Sequence, residues 1–119
     1  MNNKEFGKDL EDRTLKFALR VIHLSSRLPN TQEGRVVRNQ FTKAGTSVGA
    51  NYREANRARS RADFVYKMKI CESEASETVY RLKIISEQKW GTGEEIRFLL
   101  TEANELLAIF TSATRNLKR

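Results

Sequence analysis

The chain has 119 residues, with 22 lysines and arginines against 15 aspartates and glutamates, so its formal net charge is +7. This length fits one domain. A single cysteine and a single histidine exclude an internal disulfide and a multi-histidine metal site, and they argue against a thiolate zinc site. The sequence pI of about 9.9 predicts an anionic partner.

No stretch resembles a targeting or membrane segment. Residues 1–10 alternate charged and apolar side chains and lack an apolar signal-peptide stretch. A spanning helix needs about 20 apolar residues, whereas no charge-free stretch exceeds nine residues, and one of these, residues 44–52, is rich in small and polar side chains. We therefore expect a cytoplasmic protein with no membrane partner.

The first predicted helix covers about residues 9–28 and ends at Pro29. Its apolar residues form two adjacent lines, a width typical of a helix that contacts two neighbours. One line consists of Leu15, Ala18, Leu19 and Ile22, and the other of Phe17, Val21, Leu24 and Leu28.

The second and third predicted helices cover about residues 31–58 and 61–88. In both, apolar residues recur at alternating four- and three-residue steps. Ser60 and Asp63 form a plausible capping pair at the start of the third helix. Residues 57–61, between the two helices, contain neither glycine nor proline. This joint is therefore either a tight turn or a continuous bent helix.

The fourth predicted helix covers about residues 94–116 and follows a capping-box pattern at Thr92 and Glu95. Its apolar residues repeat with the same rhythm. A 3.5-residue repeat on several helices with short connections is typical of an antiparallel bundle. The sequence therefore predicts an all-α, antiparallel up-down four-helix bundle that forms one domain over residues 1–119.

Two glycines lie inside the second helix, in the stretch of residues 44–50. Each costs roughly 1 kcal/mol relative to alanine, so some interaction should offset the loss. Gly45 and Gly49 are four residues apart and share one side, where another helix can approach closely. This helix is either a neighbour in the same bundle or part of another subunit. A phosphate-binding loop is disfavoured, because no Gly-Lys-Ser/Thr follows and no strand precedes.

The positive charge is concentrated in one segment. Residues 34–61 hold seven basic side chains and one acidic side chain, whereas residues 62–119 are balanced. At 100° per residue, Arg35, Arg53 and Arg57 lie about 160–200° from the apolar line of the second helix. Lys43, Arg61 and Arg38 flank them. Arg59 would point toward the core, which predicts that the helix has ended or bent before it.

These six basic residues form one broad outward face, for which three interpretations remain. The face is a solvated surface, a site for a nucleic-acid backbone, or a docking surface for an acidic protein. A face made only for solubility normally mixes charges of both signs. A patch rich in arginine binds phosphate without reading base sequence. Tyr52, Tyr66 and Tyr80 are candidates for stacking on unpaired bases, although aromatic residues at helical spacing usually pack in a core.

The sequence offers no candidate catalytic or metal site. Cys71 lies on the core line of the third helix and is interpreted as a small buried apolar group. His23 is interpreted as a boundary residue. Glu72, Glu74 and Glu77 cannot form a di-iron site, which requires Glu-x-x-His pairs from two helices. We expect them to pair with basic groups on a neighbouring helix or another subunit. We expect no enzymatic activity, cofactor or metal.

Several stretches resemble a known family of four-helix bundles, first named for proteins encoded in intervening sequences of bacterial 23S ribosomal RNA. The resemblance covers nearly the whole chain. It rests on residues 43–55, 57–64 and 67–77, and on the Leu-Pro and Glu-Gly pairs at residues 28–29 and 33–34.

The resemblance implies a compact antiparallel bundle that assembles into a ring-like homopentamer. The family is also similar to the accessory protein of diversity-generating retroelements, a basic pentameric barrel that associates with a reverse transcriptase and binds nucleic acid. The matching motif residues are interpreted as structural or interfacial: Ser47, Asn51, Glu54 and Glu74.

The leading hypothesis is a non-enzymatic, oligomeric bundle that binds RNA or DNA backbone through the outer face of the second helix. One alternative is an adaptor that docks an acidic protein, such as an enzyme of the reverse-transcriptase type. The other is a purely structural oligomer.

Overall fold

The fold consists of four helices packed in chain order. A computed structural model describes residues 3–117, and within that range it contains no strand. The helices are α1 (Asn3–Ser25), α2 (Gln32–Asn56), α3 (Arg61–Glu87) and α4 (Gly93–Leu117). Each helix packs against the next through a short connection, so successive helices are antiparallel. The predicted all-α four-helix bundle is confirmed.

The boundaries of α1 differ from those predicted. The helix begins at Asn3 rather than near residue 9, with Glu5 in its first turn, where a carboxylate is favourable. Leu10 is buried in this added part. The helix ends at Ser25, and Leu28, predicted as its last residue, lies in the following turn with its side chain buried. Because Leu28 is apolar and buried, it continued the apolar repeat past the end of α1, and the predicted boundary fell three residues too late.

Side-chain caps define the starts of the other helices. The hydroxyl of Thr31 accepts a hydrogen bond from the Gly34 amide at 3.0 Å, which caps α2. The predicted capping pairs are present: the Ser60 hydroxyl accepts from the Asp63 amide at 3.0 Å, and the Thr92 hydroxyl accepts from the Glu95 amide at 3.3 Å. Because α2 ends at Asn56 and α3 starts at Arg61, the ambiguous joint is a turn.

One continuous core fills the interior of the bundle. Its largest fully buried side chains come from all four helices: Leu24, Phe41, Leu82, Ile85, Leu99, Leu106 and Phe110. The rings of Tyr52 and Phe110 pack at 5.8 Å between centroids with an interplanar angle of 55°.

The first and last helices meet mainly through long side chains. Arg13 donates two hydrogen bonds of 2.7 Å to the Glu102 carboxylate, and these bonds raise the pKa of the guanidinium. The Arg20 guanidinium lies 4.2 Å from the centroid of the Phe98 ring. This side of the bundle is the least densely packed.

The two apolar lines of α1 have different environments. Phe17, Val21 and Leu24 are buried against the rest of the bundle. In the other line, Leu15 and Leu19 are each 58% exposed and Ile22 is 46% exposed. Helix α1 therefore contacts two neighbours, α2 and α4, as the wide stripe predicts, but no element within residues 3–117 covers this second line.

Candidate nucleic-acid interface

The predicted basic face of α2 is an elongated strip. Arg35 and Arg57 lie 22 residues apart, which corresponds to about 33 Å along a helix. Both are exposed, as are Lys43 and Arg53 between them. The Arg57 guanidinium donates a hydrogen bond of 3.2 Å to the backbone carbonyl of Arg53, so two cationic groups lie together at the C-terminal end of α2.

The contacts of Arg35 and Arg53 are a local one and a long one to α1, respectively. The Arg35 guanidinium donates to the carbonyl and side-chain oxygens of Asn30 at 3.1 and 3.3 Å. The Arg53 Nε atom lies 3.7 Å from a carboxylate oxygen of Glu11, and the Arg53 side chain is 63% exposed. An ion pair of this exposure contributes about 0–1 kcal/mol. Both guanidiniums therefore remain able to exchange these partners for a phosphate.

Arg38 has a different position from the rest of the predicted face. Its guanidinium turns toward the α1–α2 connection and donates to the carbonyls of Leu28 and Pro29 at 2.8 and 3.4 Å. Arg38 is half-buried, and its Nε atom is buried without a hydrogen-bond partner. Carbonyls beyond the end of a helix lack intrahelical partners and attract a cation. We therefore remove Arg38 from the predicted interface and assign it a structural role.

The remaining basic residues lie around the turn after α2. Arg61 is the exposed first residue of α3, and Arg59 is exposed within the turn. The prediction that the helix ends before Arg59 is confirmed, because α2 stops at Asn56. The C-terminal end of α2 therefore carries the densest positive charge.

Two lysines that the sequence prediction missed extend this end of the strip. Lys4 and Lys8 of α1 line a shallow depression with Glu11 and Asn56. Their four-residue spacing places them on one face of α1. They were overlooked because residues 1–33 have almost no net charge. The Asn56 amide donates to Glu11 at 2.8 Å, and this contact joins α1 to α2 beside the lysines.

The glycines of α2 lie where α1 crosses it. A Cβ atom added to Gly45 would lie 2.7 Å from the γ-methyl groups of Val21, and one added to Gly49 would lie 2.9 Å from the hydroxyl of Thr14. Real Cβ atoms essentially never make such short contacts. The two glycines therefore allow close helix packing within the chain.

The other motif residues have mixed environments. The Asn51 amide donates to the Ser47 carbonyl at 2.8 Å within α2, and both residues are half-buried. Glu54 is exposed, and Glu74 is half-buried on α3. The Thr78 hydroxyl donates to the backbone carbonyl of Glu74 at 2.7 Å.

Within residues 3–117, the contacts of Glu72 and Glu77 differ from the expected pairing with basic groups of a neighbouring helix. The Glu72 carboxylate accepts a hydrogen bond from the Thr114 hydroxyl of α4 at 3.1 Å. Glu77 pairs with Arg81 on its own helix at 3.3 Å.

The tyrosines have two kinds of environment. Tyr52 is buried, and burial raises the pKa of its phenol. Tyr66 and Tyr80 are 62% and 59% exposed on α3. Only the latter two are available to a ligand on the surface.

The single cysteine and the single histidine differ in burial. Cys71 is fully buried, and burial raises its pKa to about 12, so it is a neutral thiol at physiological pH. His23 is exposed in the last turn of α1.

Across residues 3–117, no three His, Cys, Asp or Glu residues form a group that could hold a metal ion. None of the described helices is long and apolar enough to cross a membrane.

The fold and this surface define a class of small all-α proteins: four-helix bundles with a cationic strip on one helix. The sequence matches the family described as 23S rRNA-intervening sequence protein over residues 9–112. The chain belongs to this family, which confirms the resemblance seen in its motifs.

A solved structure has the same fold. It is the crystal structure of a protein of unknown function from the S23 ribosomal protein family of Bacteroides thetaiotaomicron VPI-5482. The two sequences are 35% identical, and the TM-score is 0.82 over 92% of this chain and 97% of that chain. No protein of curated function matches the chain.

Proposed function

We propose that this protein is a non-enzymatic, cytoplasmic homo-oligomer that binds the backbone of RNA or DNA through the outer side of α2. The observation that carries the proposal is the segregation of charge: residues 34–61 hold seven basic side chains and one acidic one. The exposed members extend over about 33 Å of one helix. This length matches a polyanion better than a compact anion.

The binding mode follows from the side chains. Arginine presents a planar fork that contacts two phosphate oxygens at once. No strand or loop inserts beside the strip to read base edges, since the neighbouring elements within residues 3–117 are helices packed side by side. The interaction is therefore independent of sequence and depends strongly on salt.

Charge reversal tests the site. Changing Arg35, Arg53 and Arg57 together to Glu should weaken binding to a short RNA or DNA by about 100-fold or more at low salt. Helicity should remain, because all three side chains are exposed. The matched control changes Lys89, Arg97 and Arg115 to Glu, which alters the net charge equally at exposed positions that are not on α2. Equal losses in both variants would contradict the proposed site.

The exposed line of α1 supports the oligomer. Leu15, Leu19 and Ile22 recur at four- and three-residue steps and form one apolar strip. Such a continuous apolar strip on a small domain marks a protein contact. Family resemblance implies a pentamer, with a mass five times that of the 13.7 kDa chain.

Light scattering tests the oligomer. Leu19→Glu should reduce the particle mass toward that of one chain, whereas Val36→Glu, at an equally exposed aliphatic residue on α2, should leave the mass unchanged. A wild-type mass equal to one chain would refute the oligomer.

The adaptor remains a second candidate, because the apolar line of α1 borders the basic strip. Leu15 and Ala18 of α1 line one groove together with Ala50 and Arg53 of α2. The groove also contains Arg57 and the carboxylates Glu11, Asp12 and Glu54, so it suits an amphipathic partner helix that carries charges of both signs. A partner captured from nuclease-treated extract and lost with the triple Glu variant would favour the adaptor over nucleic-acid binding.

A further inference from the structure

The outer side of α3 carries a surface that the basic strip of α2 does not include. Its exposed residues between positions 61 and 86 are basic, aromatic, hydroxylic or small, and none of them is acidic: Arg61, Ala62, Tyr66, Lys69, Ser73, Ser76, Tyr80, Lys83 and Ser86. The carboxylates of this part of α3 are half-buried. Two of them, Glu72 and Glu77, line one depression together with Lys69, Ser73, Ser76 and Tyr80.

A short repeat underlies this surface. Residues 66–70 read Tyr-Lys-Met-Lys-Ile and residues 80–84 read Tyr-Arg-Leu-Lys-Ile. Each copy places a tyrosine three residues before a lysine, so the ring and the ammonium lie on the same face of the helix. In both copies the tyrosine and the lysine are exposed, whereas the third residue, Met68 or Leu82, is buried. The buried position accounts for the apolar part of the repeat, but the core does not require the tyrosine or the lysine.

The spacing of the two copies is suited to an extended ligand. Fourteen residues of helix correspond to about 21 Å and return to within about 40° of the same direction. Between the tyrosines the exposed positions are Lys69, Ser73 and Ser76, so no bulky apolar side chain separates the two rings. The guanidinium of Arg81 lies 5.5 Å from the centroid of the Tyr80 ring, which favours a fixed ring orientation.

We propose that the two Tyr-x-x-Lys units of α3 bind single-stranded nucleic acid, each by stacking one unpaired base on the tyrosine and contacting a phosphate with the lysine. This inference rests on the proposed function and adds its substrate class. Base stacking on aromatic side chains tolerates any sequence, because every base has a π-face. In a duplex these faces are covered by neighbouring bases, so a duplex gains only the phosphate contacts.

The test compares a short oligouridylate with an RNA duplex at one fixed low salt concentration. Tyr66→Ala with Tyr80→Ala should weaken binding of the single strand about tenfold or more, and should leave duplex binding within about twofold. Tyr66→Phe with Tyr80→Phe keeps both rings and should retain wild-type affinity for the single strand. All four substitutions are at exposed positions, so the fold should persist, and circular dichroism checks this.

Lysine variants and salt separate the two parts of each unit. Lys69→Gln with Lys83→Gln should lower the slope of log affinity against log salt for the single strand by about 1.4, because two phosphate contacts are lost. The alanine variants of the tyrosines should leave that slope unchanged.

Each outcome bears on a different claim. If the wild type binds neither RNA at low salt, the proposed function fails. If it binds both, but the tyrosine-to-alanine pair weakens them equally or not at all, only the α3 site is refuted. If the same pair instead changes the mass of the unbound protein, this face is a subunit contact and the α3 site is also refuted.

Discussion

The side of α2 that faces α1 and the side that faces outward differ in what their residues do. On the inner side, Gly45 and Gly49 leave no space for a Cβ atom, and Arg38 is held by the carbonyls of the turn. On the outer side, Lys43, Arg53 and Arg57 are exposed. The same helix therefore separates residues that stabilise the fold from residues available to a partner. Substitutions on the two sides should affect different measurements.

Among residues at the crossing of α1 and α2, the largest effect on stability is expected at Gly45. Gly45→Ala places a methyl group 2.7 Å from the γ-carbons of Val21, and the β-branched valine has little rotamer freedom to move away. Overpacking costs about 1–3 kcal/mol, which exceeds or matches the roughly 1 kcal/mol that alanine gains in helix propensity. We expect a lower free energy of unfolding in a urea titration.

A second substitution tests the cause. Adding Val21→Ala to Gly45→Ala should cost less than the sum of the two single changes, because the clash disappears. Additive costs would show that Val21 does not restrict this position. Nucleic-acid affinity should be unchanged in the folded variants, since neither side chain is exposed.

A smaller loss of stability is expected at Arg38. Arg38→Gln removes hydrogen bonds to the Leu28 and Pro29 carbonyls and should lower the free energy of unfolding by about 1–2 kcal/mol. The neighbouring exposed Arg35→Gln is the matched control and should cost under about 0.5 kcal/mol.

In nucleic-acid binding, the variant with the larger effect should be Arg35→Gln, whereas in stability it should be Arg38→Gln. Arg35→Gln should reduce the salt dependence of nucleic-acid binding, whereas Arg38→Gln should leave it unchanged. An equal reduction in both would return Arg38 to the interface and would contradict the division between the two sides of α2.

The smallest effect on stability is expected at the outer end of α2. Arg57→Gln removes one exposed charge and one hydrogen bond to a backbone carbonyl. The free energy of unfolding should change by less than about 0.5 kcal/mol. A loss above about 1 kcal/mol would show that the fold depends on the strip.

Most of the fold followed from the sequence because its signals are local. Capping pairs such as Ser60 with Asp63 act within one turn of helix, and the three- and four-residue rhythm identifies the buried side of each helix. The start of α1 was missed because its first turns are rich in charged residues and show the three- and four-residue apolar spacing less clearly. The joint after Asn56 was ambiguous because it contains neither glycine nor proline.

The site was less predictable because position around a helix does not determine what a long side chain contacts. Arg38 was assigned to the outer face, yet its guanidinium reaches carbonyls of the preceding turn. Leu15 and Leu19 follow the same period as the core residues, but none of the four described helices covers them. The apolar repeat shows which side of a helix is apolar, but it does not show which element covers that side.

The central claim is tested most directly by the salt dependence of binding to one DNA duplex. For the wild type we expect log affinity to fall linearly with log salt. For the Arg35→Glu, Arg53→Glu, Arg57→Glu variant, the slope should be shallower by about 2.7, since each lost phosphate contact contributes about 0.9. The Lys89→Glu, Arg97→Glu, Arg115→Glu variant should keep the wild-type slope. Identical slopes for all three proteins would contradict binding through the outer side of α2.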